Sequence, residues 1–261
     1  LSEMDFVELQ HFCSKQGIIF LSTPFELRSA ELLDRLQVPA FKISSGELTN
    51  LPLLSKIAAF GKPIILSTGM SNLSEIREAV DEIYAEGNRK LILLHCTSNY
   101  PTRPENVNLL AMETMRRAFS VPIGYSDHTL GIEIAVAAVA LGACVIEKHF
   151  TLDRNLPGPD HQVSLEPEEF KAMVATVRNT EQALGSGKKE PRFSERKIAK
   201  VARKSLVAAS NIPGGTKLIA EMLTVKRPGT GISPEYISVV LGKITRRALK
   251  RDTVISWGMI R

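Results

Sequence analysis

Two histidines carry the chemistry with the clearest physical meaning. His128 stands in Tyr125-Ser126-Asp127-His128-Thr129, and His149 in Glu147-Lys148-His149-Phe150-Thr151. Each follows a short apolar run, Pro122–Tyr125 or Cys144–Ile146. If those runs are strands, side chains at i and i+2 share a face. Ser126 then points with His128, and Glu147 with His149. Two imidazoles from adjacent strand ends suit a divalent metal. Asp127 and Glu147 sit beside them as supporting groups, either orienting the ligands or holding metal-bound water. The competing interpretation is a pair of hydrogen-bonded core histidines. His11, His95 and His161 read as a helix-surface residue, a mid-strand residue and a loop residue.

Lys42 is the next chemical signal, a cation inside the apolar run Ala40-Phe41-Lys42-Ile43. Burying an ammonium group is costly unless an anion meets it. That anion is either Glu47, or another strand-end carboxylate, or a bound phosphate or carboxylate. Thr23, Ser45, Ser67, Ser98 and Ser126 each follow an apolar run. Hydroxyl and backbone N–H groups after parallel strands suit a phosphorylated anion. Arg227 lies in Lys226-Arg227-Pro228-Gly229-Thr230-Gly231. The Pro and Gly residues form either a tight loop presenting the guanidinium or an ordinary surface turn.

The elements that must position these groups show a βα period. Six apolar runs recur 20 to 30 residues apart, beginning with Gly17–Leu21 and ending with Cys144–Glu147. Helical spacing fills the gaps, as in Leu73, Ile76, Val80 and Ile83, with Ser71 available as a cap. Such alternation means βαβ units and a parallel sheet. No GxGxxG follows the first run, so a dinucleotide-binding sheet is not supported. Every run ends in polar residues, as strands of a (β/α)8 TIM barrel do at the face that holds the active site. An open doubly wound sheet also places polar residues there, but does not usually draw on every strand. The expected fold is therefore α/β, a TIM barrel with its first two βα units absent, about 60 residues' worth.

Residues 1–185 form that expected barrel portion, 186–204 a linker and 205–261 a small, mostly β domain. Net charge divides along the same line. The first 185 residues carry 16 Lys and Arg against 23 Asp and Glu, net −7, and the rest 17 against 5, net +12. A basic tail raises nucleic acid as a partner, yet no nucleic-acid-binding signature occurs in it. Docking against an acidic barrel accounts for the charge without a third partner. The longest apolar stretch, Ile134–Ile146, falls short of the roughly 20 residues a membrane span needs. No leader of secretory type is visible. Three widely spaced cysteines without a CxxC pair fit a reducing, cytoplasmic setting.

Taken together, Phe41–Glu47, Leu66–Met70, His95–Pro101, Tyr125–Thr129, Glu147–Thr151, Pro157–Asp160 and Lys226–Gly231 resemble the bacterial N-acetylneuraminate (sialic acid) synthase family over nearly the whole chain. The resemblance implies a TIM barrel followed by an antifreeze-like (SAF) domain, in a domain-swapped homodimer. It implies condensation of phosphoenolpyruvate with N-acetylmannosamine and water to give N-acetylneuraminate and phosphate. By the matching motifs, His128 and His149 would hold Mn²⁺, or another divalent cation such as Mg²⁺ or Co²⁺. Thr23, Lys42, Ser45, Ser67, Ser98 and Ser126 would hold phosphoenolpyruvate. Tyr100, Asp160 and a partner subunit's Arg227 would face the sugar, with Glu47, Asp127 and Glu147 in supporting catalytic roles. The family's catalytic glutamate and a second phosphate-binding lysine belong to its first two strands and have no counterpart here. Within the family, legionaminate, pseudaminate and spore-coat precursor synthesis are alternatives. Outside it, a catalytically dead sugar-binding or scaffold protein is another.

Overall fold

The structure is a computed structural model describing residues 1–261. The chain forms two compact units, Leu1–Ser186 and Gly187–Arg261. In the first, the order is α1 (Glu3–Gln16), α2 (Leu27–Arg35), β1 (Phe41–Ile43), α3 (Leu51–Ala59), β2 (Ile64–Ser67), α4 (Leu73–Ala85), β3 (Leu91–Cys96), α5 (Ala111–Phe119), β4 (Ile123–Asp127), α6 (Glu133–Ala140), β5 (Ile146–Lys148) and α7 (Pro167–Leu184). The five strands pair in parallel in sequence order. Such an order, with a helix between each pair of strands, fits an α/β barrel.

Register explains which side chains reach the site. Phe41, Ile43, Ile64, Leu66, Leu91, Leu93, Ile123 and Tyr125 form the core with Leu54 and Ile57 of α3, Ala79 and Ile83 of α4, and Met112 and Met115 of α5. Each fully buried aliphatic side chain contributes about 1.5–3 kcal/mol relative to exposure. Period-2 alternation leaves Lys42, Ile65, Ser67, Leu94, Gly124, Ser126 and Glu147 on the opposite face of the sheet. Gly124 is required there. A Cβ at that position would lie 2.6 Å from the Val145 carbonyl oxygen.

Two local expectations change. Gly17–Leu21 is not a strand, so five strands form rather than six. A strand needs a ladder partner, and β1 pairs only with β2, leaving Ile18 and Ile19 mostly exposed. Asn72, not Ser71, caps α4, because its side chain accepts from the N–H groups of Ser74 and Glu75 while Glu75 bonds back to Asn72. Val254 makes an isolated antiparallel bridge to Val207.

The second unit contains α8 (Phe193–Ala202), β6 (Ser205–Ala208), β7 (Leu223–Lys226) and α9 (Ile237–Val240). Its β6–β7 pair is antiparallel. Leu206, Ala208, Ile212, Leu218, Ile232 and Leu249 anchor a core of its own. No helix is long and apolar enough to cross a membrane.

Candidate active site

The C-terminal ends of β1 to β5 carry the site, beginning with a cup of hydroxyls. Ser45, just after β1, accepts the Gly69 N–H at 2.9 Å and lies 3.1 Å from the Cys96 sulfur. Gly69 follows β2 closely, and Cys96 ends β3. A Cβ on Gly69 would collide with the Ser98 hydroxyl and would lie 2.9 Å from both Ser45 Oγ and Cys96 Sγ. The ends of β1 and β3 therefore converge on Gly69, just past β2. Ser67, the last residue of β2, is buried, and its hydroxyl has no hydrogen-bond partner. A buried orphan hydroxyl costs about 1–3 kcal/mol, so this one is poised for an acceptor.

Lys42 reaches Glu147 of β5, at 3.5 Å from Oε2, and donates to the Ile43 carbonyl at 3.0 Å. Its side chain is 13% exposed and that of Glu147 is 40% exposed. The anion partner of Lys42 is thus Glu147 and not Glu47, whose carboxylate accepts from Asn50. Ser126 donates to the other oxygen of Glu147 at 2.7 Å. Thr23 lines a cavity of about 430 Å³ together with Lys42, Ile65 and Glu147.

Beyond Ser126 and Glu147 along the same strands come the imidazoles. The His128 and His149 rings are 5.3 Å apart, nearly perpendicular. His128 Nδ1 lies 2.8 Å from the Thr97 carbonyl oxygen. A carbonyl only accepts, so Nδ1 carries the proton and Nε2 offers its lone pair. Burial holds the His128 pKa below the usual histidine value, which favours that neutral form. Tyr100 covers the pair, its ring 4.3 Å from His128 and 5.5 Å from His149. Burial, with Cys96, Asp160 and Glu147 nearby, raises the Tyr100 pKa and keeps the phenol protonated. Asp160 places Oδ2 at 3.8 Å from His149 Nδ1. No group of three or more His, Cys, Asp or Glu side chains is placed to hold a metal. The pair could supply two imidazole ligands to a divalent ion.

Asp127 does not share the face of the imidazoles. It lies on the other face of β4, buried, paired with Lys148 at 2.8 Å and accepting from Tyr125 and Thr129. Period 2 dictates this, since Asp127 falls between Ser126 and His128. His95 contacts the Val107 carbonyl at 2.7 Å, and His161 contacts the Thr151 hydroxyl at 2.7 Å. Arg227 belongs to the second unit, where it is exposed and its Nε donates to the Ala202 carbonyl at 3.0 Å. Sequence reasoning missed Gly69 and Cys96 as parts of the cup. The only signal was their place among the strand-end polar clusters.

Comparison with known proteins decides the family. The NeuB family model matches residues 1–189, and the SAF domain model matches residues 203–261. This chain belongs to the NeuB family. Among relatives within NeuB, the N,N'-diacetyllegionaminic acid synthase of Campylobacter jejuni is 50% identical over 250 residues, covering 95% of this chain and 75% of that protein. The N-acetylneuraminate-9-phosphate synthase of Homo sapiens is 41% identical, covering 95% of this chain and 69% of that protein. A crystal structure of the N-acetylneuraminic acid (sialic acid) synthetase from Leptospira borgpetersenii, in complex with citrate, superposes with a TM-score of 0.72 at 39% identity. That match covers 76% of this NeuB chain and 69% of the other.

Proposed function

We propose that this protein condenses phosphoenolpyruvate with an N-acetylated aminosugar and water, releasing phosphate and a nine-carbon sugar acid. The observation that carries the reading is the meeting of two unlike half-sites at Glu147. That residue bonds Ser126 and Lys42, and it stands two residues from His149. One half is a cation with a cup of hydroxyls, suited to an anionic substrate. The other is an imidazole pair beneath a tyrosine, suited to a neutral sugar and a divalent ion.

In this reading an arriving phosphate or carboxylate takes over Lys42 from Glu147. Thr23, Ser45, Ser67, Ser98 and Ser126 fix its remaining oxygens. Tyr100 and Asp160 orient the sugar over His128 and His149. The phosphoenolpyruvate C3 carbon then bonds to the open-chain aldehyde carbon. Water adds at C2, and the C–O bond to phosphate breaks. Lys42 and the hydroxyls stabilise the departing charge. His128 and His149 would hold a divalent ion, Mn²⁺ or else Mg²⁺ or Co²⁺, which would supply Lewis acidity toward the aldehyde oxygen. Arg227 reaches the sugar from a partner subunit in a domain-swapped homodimer, an arrangement favoured by the opposite charges of residues 1–185 and 186–261.

N-acetylmannosamine, giving N-acetylneuraminate, is the sugar that the motifs suggest. A 6-deoxy-diacetamido hexose is a second reading. It is favoured by relatives 50% and 45% identical that are N,N'-diacetyllegionaminic acid synthases. The test is phosphate release from phosphoenolpyruvate with Mn²⁺ and each aminosugar in turn. The expected result is release that depends on sugar, with the preferred sugar showing the highest kcat/KM. Binding of sugar without phosphate release from any of them would mean a sugar-binding protein instead.

A further inference from the structure

The ion pair between Asp127 and Lys148 lies outside the machinery described above, yet it is the most completely buried charged contact of the chain. Its side chains are 0% and 1% exposed. Lys148 also donates to the Thr129 carbonyl, while Asp127 Oδ1 accepts from the Thr129 N–H at 2.9 Å, the Thr129 hydroxyl at 2.8 Å and the Tyr125 hydroxyl at 3.2 Å. Burying two charges is expensive, and apolar replacements of similar volume often match or exceed such a pair in stability. Stability alone therefore explains its presence poorly.

Its position explains it better. Asp127 and Lys148 are partners in register, and each is the final residue of its strand. The pair is the last rung between β4 and β5. His128 and His149 follow immediately and turn to the opposite face. We infer that the Asp127–Lys148 pair is a positioning clamp that sets the spacing of the His128 and His149 imidazoles for a divalent cation. Thr129 extends the clamp past His128, since both its backbone groups and its hydroxyl are tied to the pair. On the other strand, the Leu165 N–H donates to the His149 carbonyl at 2.9 Å. Each imidazole is thus held from behind along its own backbone. This inference rests on reading the two histidines as metal ligands.

The test uses Mn²⁺ alone as the probe, with free Mn²⁺ measured by electron paramagnetic resonance in a titration of the full chain. Three proteins are compared: wild type, His149→Ala and the double variant Asp127→Leu with Lys148→Met, which removes both charges together. Outer-shell groups typically change metal affinity 10- to 100-fold. The expected result is a double variant that melts within a few degrees of wild type in metal-free buffer but binds Mn²⁺ at least tenfold more weakly. Wild-type Mn²⁺ affinity in a folded double variant overturns the clamp and leaves the metal site standing. Equal Mn²⁺ binding by wild type and His149→Ala overturns the metal-site reading itself, and the clamp with it. Should the double variant not fold, Tyr125→Phe removes one hydrogen bond from Asp127 without stranding a charge. A two- to fivefold loss of Mn²⁺ affinity is then expected, and an unchanged affinity overturns the clamp.

Discussion

Ser67→Ala should move stability and ligand affinity in opposite directions. Ser67 is 3% exposed, and its hydroxyl has no partner. In the free protein that orphan group costs about 1–3 kcal/mol of desolvation. Alanine removes the cost and leaves a void no larger than one oxygen, so a net gain of about 1 kcal/mol is expected. For a unit of 150–250 residues that gain corresponds to a Tm rise of roughly 2–4 °C. The same hydroxyl, given a phosphate or carboxylate oxygen, would make a hydrogen bond to a charged group worth about 1.5–3 kcal/mol. Its loss should weaken phosphoenolpyruvate binding roughly 10- to 150-fold, at 1.4 kcal/mol per decade. Thermal melting without ligand gives the first quantity, and calorimetric titration with phosphoenolpyruvate gives the second. A lower Tm with unchanged affinity would falsify the reasoning, because Ser67 would then serve packing and not the anion.

Lys42→Met should keep the fold and weaken phosphoenolpyruvate binding. Glu147 is 40% exposed and retains the Ser126 hydroxyl, so losing its cation should cost no more than about 1–2 kcal/mol, between the exposed and buried cases; a collapsed Tm with intact binding would instead make the pair purely structural. His95 and His128 both have pKa values lowered by burial, so the unfolded chain takes up protons first as pH falls below about 6.5. Stability should therefore fall between pH 7 and pH 5, and His95→Gln should flatten that slope; equal slopes in melts across this range would contradict the assignment. An Arg227→Ala subunit mixed with a His149→Ala subunit, each inactive alone, should regain part of the wild-type rate if active sites are shared across a swapped dimer. Persistent inactivity with heterodimers detected by mass spectrometry would place Arg227 in its own subunit or outside catalysis.

The strand ends were legible because the signal is local. An apolar run closing in Ser, Thr, Lys or His states both the strand and the place where it stops, and period 2 then pairs Ser126 with His128. The same rule, applied one residue further, puts Asp127 behind the strand, although adjacency in sequence made it look like part of the imidazole pair. Gly17–Leu21 has the composition of a strand, but composition cannot supply a ladder partner. The cup around Gly69 escaped because it joins three segments distant in sequence and centres on a residue with no side chain. Lys42, a cation in an apolar strand, calls for an anion on sequence grounds alone. Which carboxylate answered depended on the register of β1 through β5, a tertiary property.

Gly69 gives the molecule an uneven capacity for change. Three residues from the ends of β1 and β3 touch the space where its side chain would be, so enlarging that one position displaces Ser45, Cys96 and Ser98 together. Those three residues therefore change together or not at all wherever Gly69 is enlarged. Tyr100 and Asp160, half-exposed or more on loops, face no such constraint. If the proposed function holds, descendants of such a site could exchange one sugar for another in single steps while keeping the three-carbon partner fixed. Relatives whose names differ in the sugar acid they make are what that asymmetry would leave behind.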